Sequence, residues 1–209
     1  MRRGFAWTIG ASAAAMVLAA VVYVVGGTQR LSRWEVVEVR DPARIQLNRC
    51  VFRSGGLRPG QELGPTLIIT ERDSELALRL GGLLALRLSP DSTLDLPPPP
   101  ARWIGRHRTL GVERGEVALT CGGRALGDRL VVGTEAAEIG LDGADMVVRC
   151  GAAGVDVILL RGAAELVTRD GHVHRLAGEV GMRFAGAGPP QIIPVDQRAR
   201  GLVAALPDP

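Results

Sequence analysis

Apolar residues follow two patterns along this chain: one long uninterrupted run near the start, then many short runs. The short runs are separated by Gly, Asp and Pro every 8 to 12 residues. They are 66–70 (TLIIT), 76–80 (LALRL), 83–88 (LLALRL), 109–112 (TLGV), 116–121 (EVALTC), 129–132 (RLVV), 146–150 (MVVRC) and 155–160 (VDVILL). Alternating apolar and polar positions in LALRL and VALT indicate strands with one buried face. Because no helical period separates these strands, the sequence predicts an all-β sandwich, barrel or solenoid.

The long run covers residues 5–25, which contain no charge and follow Arg2 and Arg3. A helix of that length reaches about 30 Å, the thickness of a bilayer hydrocarbon core. Trp7 and Tyr23 lie near its two ends, and the positive start favours a cytoplasmic N-terminus. The pattern predicts a single membrane anchor with the rest of the chain translocated. The alternative is a cleaved signal peptide, for which Gly-Gly at 26–27 is a poor cleavage site.

Charge and composition exclude several classes of protein. The sequence pI of 9.2 and the net charge of +3 suggest nucleic-acid binding. Every basic residue is Arg, however, and without the two arginines at the start the net charge falls to +1. With aromatic residues at only 3%, a nucleic-acid partner is disfavoured. The 46% of hydrophobic residues exclude a disordered chain.

Three cysteines, Cys50, Cys121 and Cys150, are expected to meet an oxidising compartment after translocation. Cys121 and Cys150 each close a strand-like run, so a bridge between neighbouring strand ends is one expectation. Three small buried hydrophobic residues are the alternative.

The sequence contains no catalytic motif, so we expect no enzyme activity and no cofactor. His172 and His174 face the same way if they lie in a strand and could share a metal. An exposed hairpin flank explains them better, and no third ligand accompanies them, so no metal site is predicted. The segment from Asp142 to Asp145 (DGAD) is too short for a calcium loop and predicts a turn.

One local basic cluster has an aromatic residue beside it. Arg106, His107 and Arg108 follow Trp103, just after the four consecutive prolines at 97–100. The prolines predict a rigid loop or sheet edge. We treat Trp103, Arg106, His107 and Arg108 as a candidate partner-contact loop, with a solvated loop as the alternative.

The serial order of strand and turn units resembles the FecR-like domain of bacterial envelope proteins. The matching units cover 57–63, 76–88, 90–96, 110–119, 139–148 and 155–167, and a final Leu-Ala-Gly-Glu follows at 176–179. Two units depart from the family pattern: Gly81-Gly82 replaces an Asp-Gly turn, and GADM at 143–146 replaces a Gly-Thr-Phe strand. The resemblance spans roughly residues 55–185.

The resemblance implies a FecR-like β-solenoid or twisted two-sheet domain of short strands, preceded by one N-terminal transmembrane helix. The expected parts are the anchor at 1–25, a juxtamembrane linker with a first strand at 26–54, the β domain at 55–185 and a Pro/Gly-rich tail at 186–209. The tail is expected to contain one short helical turn around 197–206 and to pack back on the domain.

Family members are membrane regulators whose periplasmic β domain receives a signal and whose cytoplasmic segment binds a sigma factor. The resemblance therefore implies a single-pass protein of the bacterial inner membrane, with a periplasmic domain that contacts an envelope protein such as a transporter or regulator. Four residues before the apolar run are too few to bind a sigma factor, so that part is expected upstream or on another protein. The alternative function is an envelope scaffold or assembly protein that binds peptidoglycan or an outer-membrane partner without signalling.

Overall fold

The computed structural model describes residues 33–47, 56–99, 108–122, 130–185 and 188–207. The strands are β1 (Trp34–Arg40), β2 (Ile45–Leu47), β3 (Glu62–Leu63), β4 (Thr66–Thr70), β5 (Glu75–Leu80), β6 (Leu84–Leu88), β7 (Thr93–Leu96), β8 (Arg108–Cys121), β9 (Leu130–Gly133), β10 (Ala137–Gly151), β11 (Gly154–Thr168), β12 (Val173–Ala177), β13 (Val180–Phe184) and β14 (Gln191–Ile193). A 3-10 turn at Pro42–Arg44 separates β1 from β2, and the helix α1 spans Gln197–Ala204. The all-β prediction is confirmed.

One hydrogen-bonded sheet contains all of these strands. Its main path runs β14-β13-β11-β10-β9-β8-β6-β5-β1-β3, while β12 pairs with β11 and the series β2-β4-β7 joins β8 through β7. β10 also pairs directly with β8. The pairing of β8 with β9 is parallel, and the other described pairings are antiparallel. Hairpins therefore build the sheet, as the predicted Gly81-Gly82 turn between β5 and β6 illustrates.

The long strand β11 bends between two layers of the sheet. His174 on β12 pairs with Leu166, whereas Phe184 on β13 pairs with Val155. Those two β11 residues are eleven positions apart, which spans about 36 Å in a straight strand. The rings of His174 and Phe184 nevertheless lie 6.0 Å apart. β11 must therefore pass from one layer into a second layer that faces the first, and β10 pairs with it along both halves.

Glycines occupy the places where the long strands change neighbours. Gly162 has φ +84°, and a Cβ built there would lie 2.1 Å from the carbonyl oxygen of Gly143. In β10 the pairing register shifts between Asp142 and Asp145, so the predicted turn at this position is wrong: the segment is an irregularity inside a continuous strand. Gly115, with φ +90°, lies where β8 leaves β7 and β9 to join β6 and β10.

The main core fills the space between the layers and is built from the inward residues of the short apolar runs, including Leu78, Leu86, Leu119 and Leu159. A smaller cluster lies on the outer face, where Ala118, Val147, Ile158 and Ala199 have no exposed surface. Ala199 belongs to α1. The tail therefore packs on the domain as expected, but its helix of eight residues makes about two turns where one was predicted.

The expected bridge between Cys121 and Cys150 does not form in the structure, although both side chains are buried. Cys150 pairs with Gly115 of β8, six residues before Cys121 on the same strand. That separation is about 20 Å along a strand, far beyond disulfide reach. Cys50 lies outside the described residues.

The predicted membrane anchor at residues 5–25 also lies outside the described residues. Within the described ranges, no helix is long and apolar enough to cross a membrane.

Candidate protein-binding site

A cleft of about 770 Å³, called the end cleft below, opens between the two layers beside the rings of His174 and Phe184. Three parts of the chain line it. They are the β9–β10 turn (Glu135, Ala136), the β11–β12 turn with its flanks (Thr168, Arg169, Asp170, His172, His174), and the β13–β14 connection with the start of β11 (Gly154, Phe184, Gly188, Pro189, Pro190).

The β11–β12 turn forms one wall and is fixed by its own hydrogen bonds. The backbone N–H of Thr168 donates to the carbonyl oxygen of His172 across 2.9 Å. The single hydroxyl proton of Thr168 is shared between that same oxygen, 3.0 Å away, and the Asp170 carboxylate. The Thr168 hydrogen bond is the largest cause of the lowered pKa of Asp170, which keeps this carboxylate ionised. The wall thus presents a fixed negative charge beside an exposed imidazole.

The opposite wall depends on a close backbone approach. Gly154 has φ +116°, and a Cβ there would lie 2.1 Å from the carbonyl oxygen of Phe184. Only glycine fits this position without moving the strand. The start of β11 therefore lies directly against the end of β13, and Phe184 is held at the cleft.

The two histidines singled out from the sequence both line the end cleft, in different settings. His172 is exposed in the turn, with Nε2 3.5 Å from the Asp170 carboxylate. His174 is half-buried in β12 and meets Phe184 edge to face at 67°. Within the described ranges, no three metal-ligating side chains converge. The histidines provide ring surface and hydrogen-bonding atoms to the cleft.

Three exposed hydrophobic side chains lie close in sequence to residues that line the end cleft. In the described part of the chain, the large hydrophobic residues classed as exposed are Val167, Val173 and Ile192, at 39%, 54% and 81%. Val167 and Val173 pair directly and flank the β11–β12 turn. Ile192 follows Pro190 by two residues. Single exposed apolar side chains are ordinary, and Val167 and Val173 lie on the sheet face opposite to His174, so Ile192 is the one that extends the cleft side of the sheet.

The strands beside the cleft also offer hydrogen-bonding edges. Among the described strands, β14 pairs with β13 alone and β12 with β11 alone. An open edge accepts an added strand from another chain. Ile192 pairs with Met182, which packs against the main core, so Ile192 extends the core-facing side of the sheet to its edge. An added strand would place its alternate side chains next to Ile192.

A separate ion cluster lies on the outer face. The buried Glu116 carboxylate accepts from Arg149 across 2.5 Å and from Arg198 across 2.6 Å. Arg149 also pairs with Asp196, and this hydrogen bond is the largest cause of the raised pKa of Arg149. The same bond lowers the pKa of Asp196 to about 2. The cluster fastens the start of α1 to β8 and β10.

The candidate partner-contact loop is described in part. Trp103, Arg106 and His107 lie outside the described residues, whereas Arg108 begins β8 opposite Leu130. The loop stays a prediction. The sequence analysis did not single out Phe184 or Ile192. The isoleucine pair at 192–193, inside a Pro/Gly-rich tail, was the signal that could have pointed to Ile192.

No protein-family model matches the chain, and no curated protein matches it. Solved structures do match the chain. Two crystal structures of a putative anti-sigma factor from Parabacteroides distasonis ATCC 8503 align with a TM-score of 0.52 at 16% and 15% identity. The alignment covers 64% of this chain and 61% of the Parabacteroides chain, so it spans less than two thirds of that protein. At this identity, the likeness establishes a shared fold.

Proposed function

We propose that this chain is a FecR-like binding module, anchored in the bacterial inner membrane by residues 5–25, whose periplasmic β domain receives a protein signal at the end cleft. The open edge of β14 beside the end cleft, with Ile192 exposed on it, carries the proposal. The fold likeness to the Parabacteroides protein supports a place in sigma-factor regulation, as does the order of FecR-like units along the sequence.

The partner is an envelope protein, such as a transporter or another regulator, that offers an extended segment with an exposed apolar side chain. Its backbone pairs with the edge of β14, which supplies affinity through main-chain hydrogen bonds. An apolar side chain enters between Phe184 and the proline pair at 189–190, where the walls are largely apolar. The Asp170 carboxylate and the His172 imidazole at the rim favour a polar neighbour on the partner segment. Contact with a sigma factor is made by a cytoplasmic segment or by a partner subunit.

Site-specific photocrosslinking in intact cells tests the proposal. A photoreactive amino acid replaces Ile192 or the cleft-lining His172 in the full chain, and a third variant carries it at Arg40, an exposed position on β1. We expect the same discrete protein adduct from positions 192 and 172 and none from position 40. An Ile192→Asp change in the His172 crosslinking variant should reduce the adduct at least tenfold. Equal adducts from all three positions, or none from 192 and 172, would refute the end cleft as a partner site.

A further inference from the structure

The start of β1 marks one end of the β domain. Trp34 pairs with Leu80, the last residue of β5, and the turn at 81–83 leads from there into β6. Leu84, the first residue of β6, pairs with Cys121, the last residue of β8. The chain from the predicted anchor enters the domain beside these strand ends. We call the end that contains Trp34, Leu80, Leu84 and Cys121 the tethered end.

The end cleft lies at the other end of the same strands, called the far end below. Cys150 on β10 pairs with Gly115 of β8 and with Val155 of β11, and Val155 pairs with Phe184 beside the cleft. Gly115 and Cys121 are six residues apart on β8, which is about 20 Å in a strand. The cleft therefore opens on the side of the domain that is opposite to the tethered end.

The segments that enter or connect strands give the two ends opposite charge. At the tethered end they lie partly outside the described residues and contain nine Arg and two acidic residues. They are 26–33, 48–61, 64–65, 81–83, 97–107, 122–129 and 178–179. At the far end the connections contain three Arg and six acidic residues, in the segments 41–44, 71–74, 89–92, 134–136, 152–153, 169–172 and 185–190. The small net charge of the chain thus divides into a basic end and an acidic end.

Two described arginines show how the tethered end presents its charge. Arg33, directly before β1, has 71% of its side chain exposed. Arg161 in β11 has 74% of its side chain exposed, although its Nε lies 2.8 Å from the largely buried Asp145 carboxylate. Asp145 pairs with Thr120, which places Arg161 at the tethered end. Both guanidinium groups are therefore open to a further anionic ligand.

The tether to the predicted anchor limits which surfaces can reach the bilayer. Eight steps along the chain separate Val25 from Arg33, a span of at most about 28 Å. Since this span exceeds the strand length of about 20 Å, the tether alone would also allow a sheet edge or the far end to lie on the bilayer. Charge decides between these orientations. Each Arg close to anionic headgroups favours contact, each carboxylate opposes it, and both effects fade within about 10 Å at 0.1 M salt.

Given the membrane anchor of the proposed function, on which this inference rests, we propose that the tethered end is a docking surface for anionic phospholipid headgroups. The arginines of this end lie against the phosphates, where a guanidinium group binds two oxygens at once. The acidic far end is repelled and points away from the bilayer. The domain thus stands on the membrane by its tethered end, and a partner segment enters the end cleft from the aqueous side.

Two glycines, Gly82 and Gly151, are matched positions for a probe. Gly82 lies in the β5–β6 turn at the tethered end, and Gly151 ends β10 at the far end. Both are exposed, neither has a positive φ, and a Cβ at either position meets nothing within 4 Å. A fluorescent amino acid therefore replaces one of them in the full chain without strain.

The labelled full chain is placed in nanodiscs of phosphatidylglycerol or of phosphatidylcholine. Both kinds contain the same small fraction of a lipid with a nitroxide on its headgroup, which quenches only nearby fluorophores. Circular dichroism first establishes that each variant keeps the β-sheet spectrum of the native chain.

We expect quenching at position 82 in phosphatidylglycerol to exceed that at position 151 at least about fivefold. In phosphatidylcholine, or in about 0.5 M sodium chloride, which shortens the Debye length to about 4 Å, quenching at position 82 should fall at least about threefold. Equal quenching at the two positions overturns the orientation. Equal quenching at position 82 in both lipids means a tether without headgroup binding and overturns the docking surface.

Those two outcomes leave the crosslinks expected at the end cleft unaffected. Recovery of the chain outside the nanodiscs, in contrast, overturns the anchor that both proposals share.

Two double variants with the same loss of charge test whether the tethered end itself is recognised. Arg33→Gln with Arg108→Gln removes two charges from the tethered end, and Arg72→Gln with Arg114→Gln removes two from the far end. In phosphatidylglycerol, the first should lower quenching at position 82 at least about twofold, and the second should not lower it. Equal losses would mean that net charge is recognised in place of this end, which overturns the docking surface.

Discussion

Trp34 donates its indole N–H to the carbonyl oxygen of Pro97 across 2.9 Å, and the tryptophan has no exposed surface. This bond ties the first strand to the start of the proline run, 63 residues away in sequence. The prolines were predicted to form a rigid loop or edge. In the structure Pro97 follows β7 directly and is buried, so the start of the run is docked against the core.

Replacement of Trp34 by Phe keeps a large ring but removes the N–H, which leaves the buried Pro97 carbonyl without this donor. We expect the free energy of unfolding to fall by about 1–3 kcal/mol, the usual cost of an unsatisfied buried polar group. Urea denaturation of the native and variant chains measures it. A fall below about 0.5 kcal/mol would mean that this hydrogen bond adds nothing to stability.

Two glycines with positive φ form a matched pair for testing the close approach at the end cleft. Gly154 and Gly171 have φ +116° and +84°, but a Cβ meets the Phe184 carbonyl at Gly154 and nothing within 4 Å at Gly171. Gly171→Ala should therefore cost about 1–2 kcal/mol from backbone strain alone. Gly154→Ala should cost a further 1–3 kcal/mol or so from overpacking. Equal losses in thermal unfolding would contradict the close contact.

The ion pair between Asp196 and Arg149 predicts the pH range in which the contact between the start of α1 and the sheet weakens. The pKa of Asp196 in the folded chain is about 2, below the value of about 3.9 for an unfolded chain. Its stabilising contribution is therefore complete above about pH 4 and is lost as the pH falls through about 2. The protection of the Ala199 amide, which is its exchange rate compared with that of an unstructured chain at the same pH, should fall across that window because this N–H donates to Asp196.

The control for this titration is Asp196→Asn, which has no titrating carboxylate at the cap. The Ala199 amide of this variant should be less protected than in the native chain at pH 5, and its protection should show no further step between pH 4 and 2. An identical step in both chains would assign the transition to another group.

Cys150 should be unreactive in the folded chain. Burial is the largest cause that raises the pKa of its thiol to about 12, with Glu135 and Asp156 adding to it. At pH 8 the thiolate population is then about three orders of magnitude below that of an ordinary thiol. Iodoacetamide labelling followed by mass spectrometry should modify Cys150 rapidly in guanidinium and scarcely at all in the native chain. Fast native labelling would contradict the burial.

Short strands were predictable from the sequence, but the long ones were not. The run at 66–70 matches β4, and the runs in β5, β6 and β9 are correct to within a residue or so. The runs at 109–112 and 116–121 instead belong to one strand, β8, which continues through Gly115. Glycine either ends a strand or lets it bend. Which of these two occurs depends on contacts with residues distant in sequence, such as the carbonyl oxygen of Gly143, which lies close to Gly162.

The candidate site was predictable to a smaller extent. His172 and His174 stood out from the sequence because two histidines two positions apart would face the same way in a strand, and both line the end cleft. Their role differs from metal sharing because the turn puts His172 at the rim while His174 packs on Phe184. The exposure of Ile192 depends on β14 being an edge strand, which follows from sheet order and not from local pattern.

The continuous strands β8, β10 and β11 each belong to both layers, and this continuity determines how the domain unfolds. Neither layer can melt alone, since the loss of register in one half of β11 releases the pairing partners of the other half. Unfolding is then a single cooperative transition across both layers. A protein that binds only at the end cleft would consequently raise the melting temperature of the entire β domain.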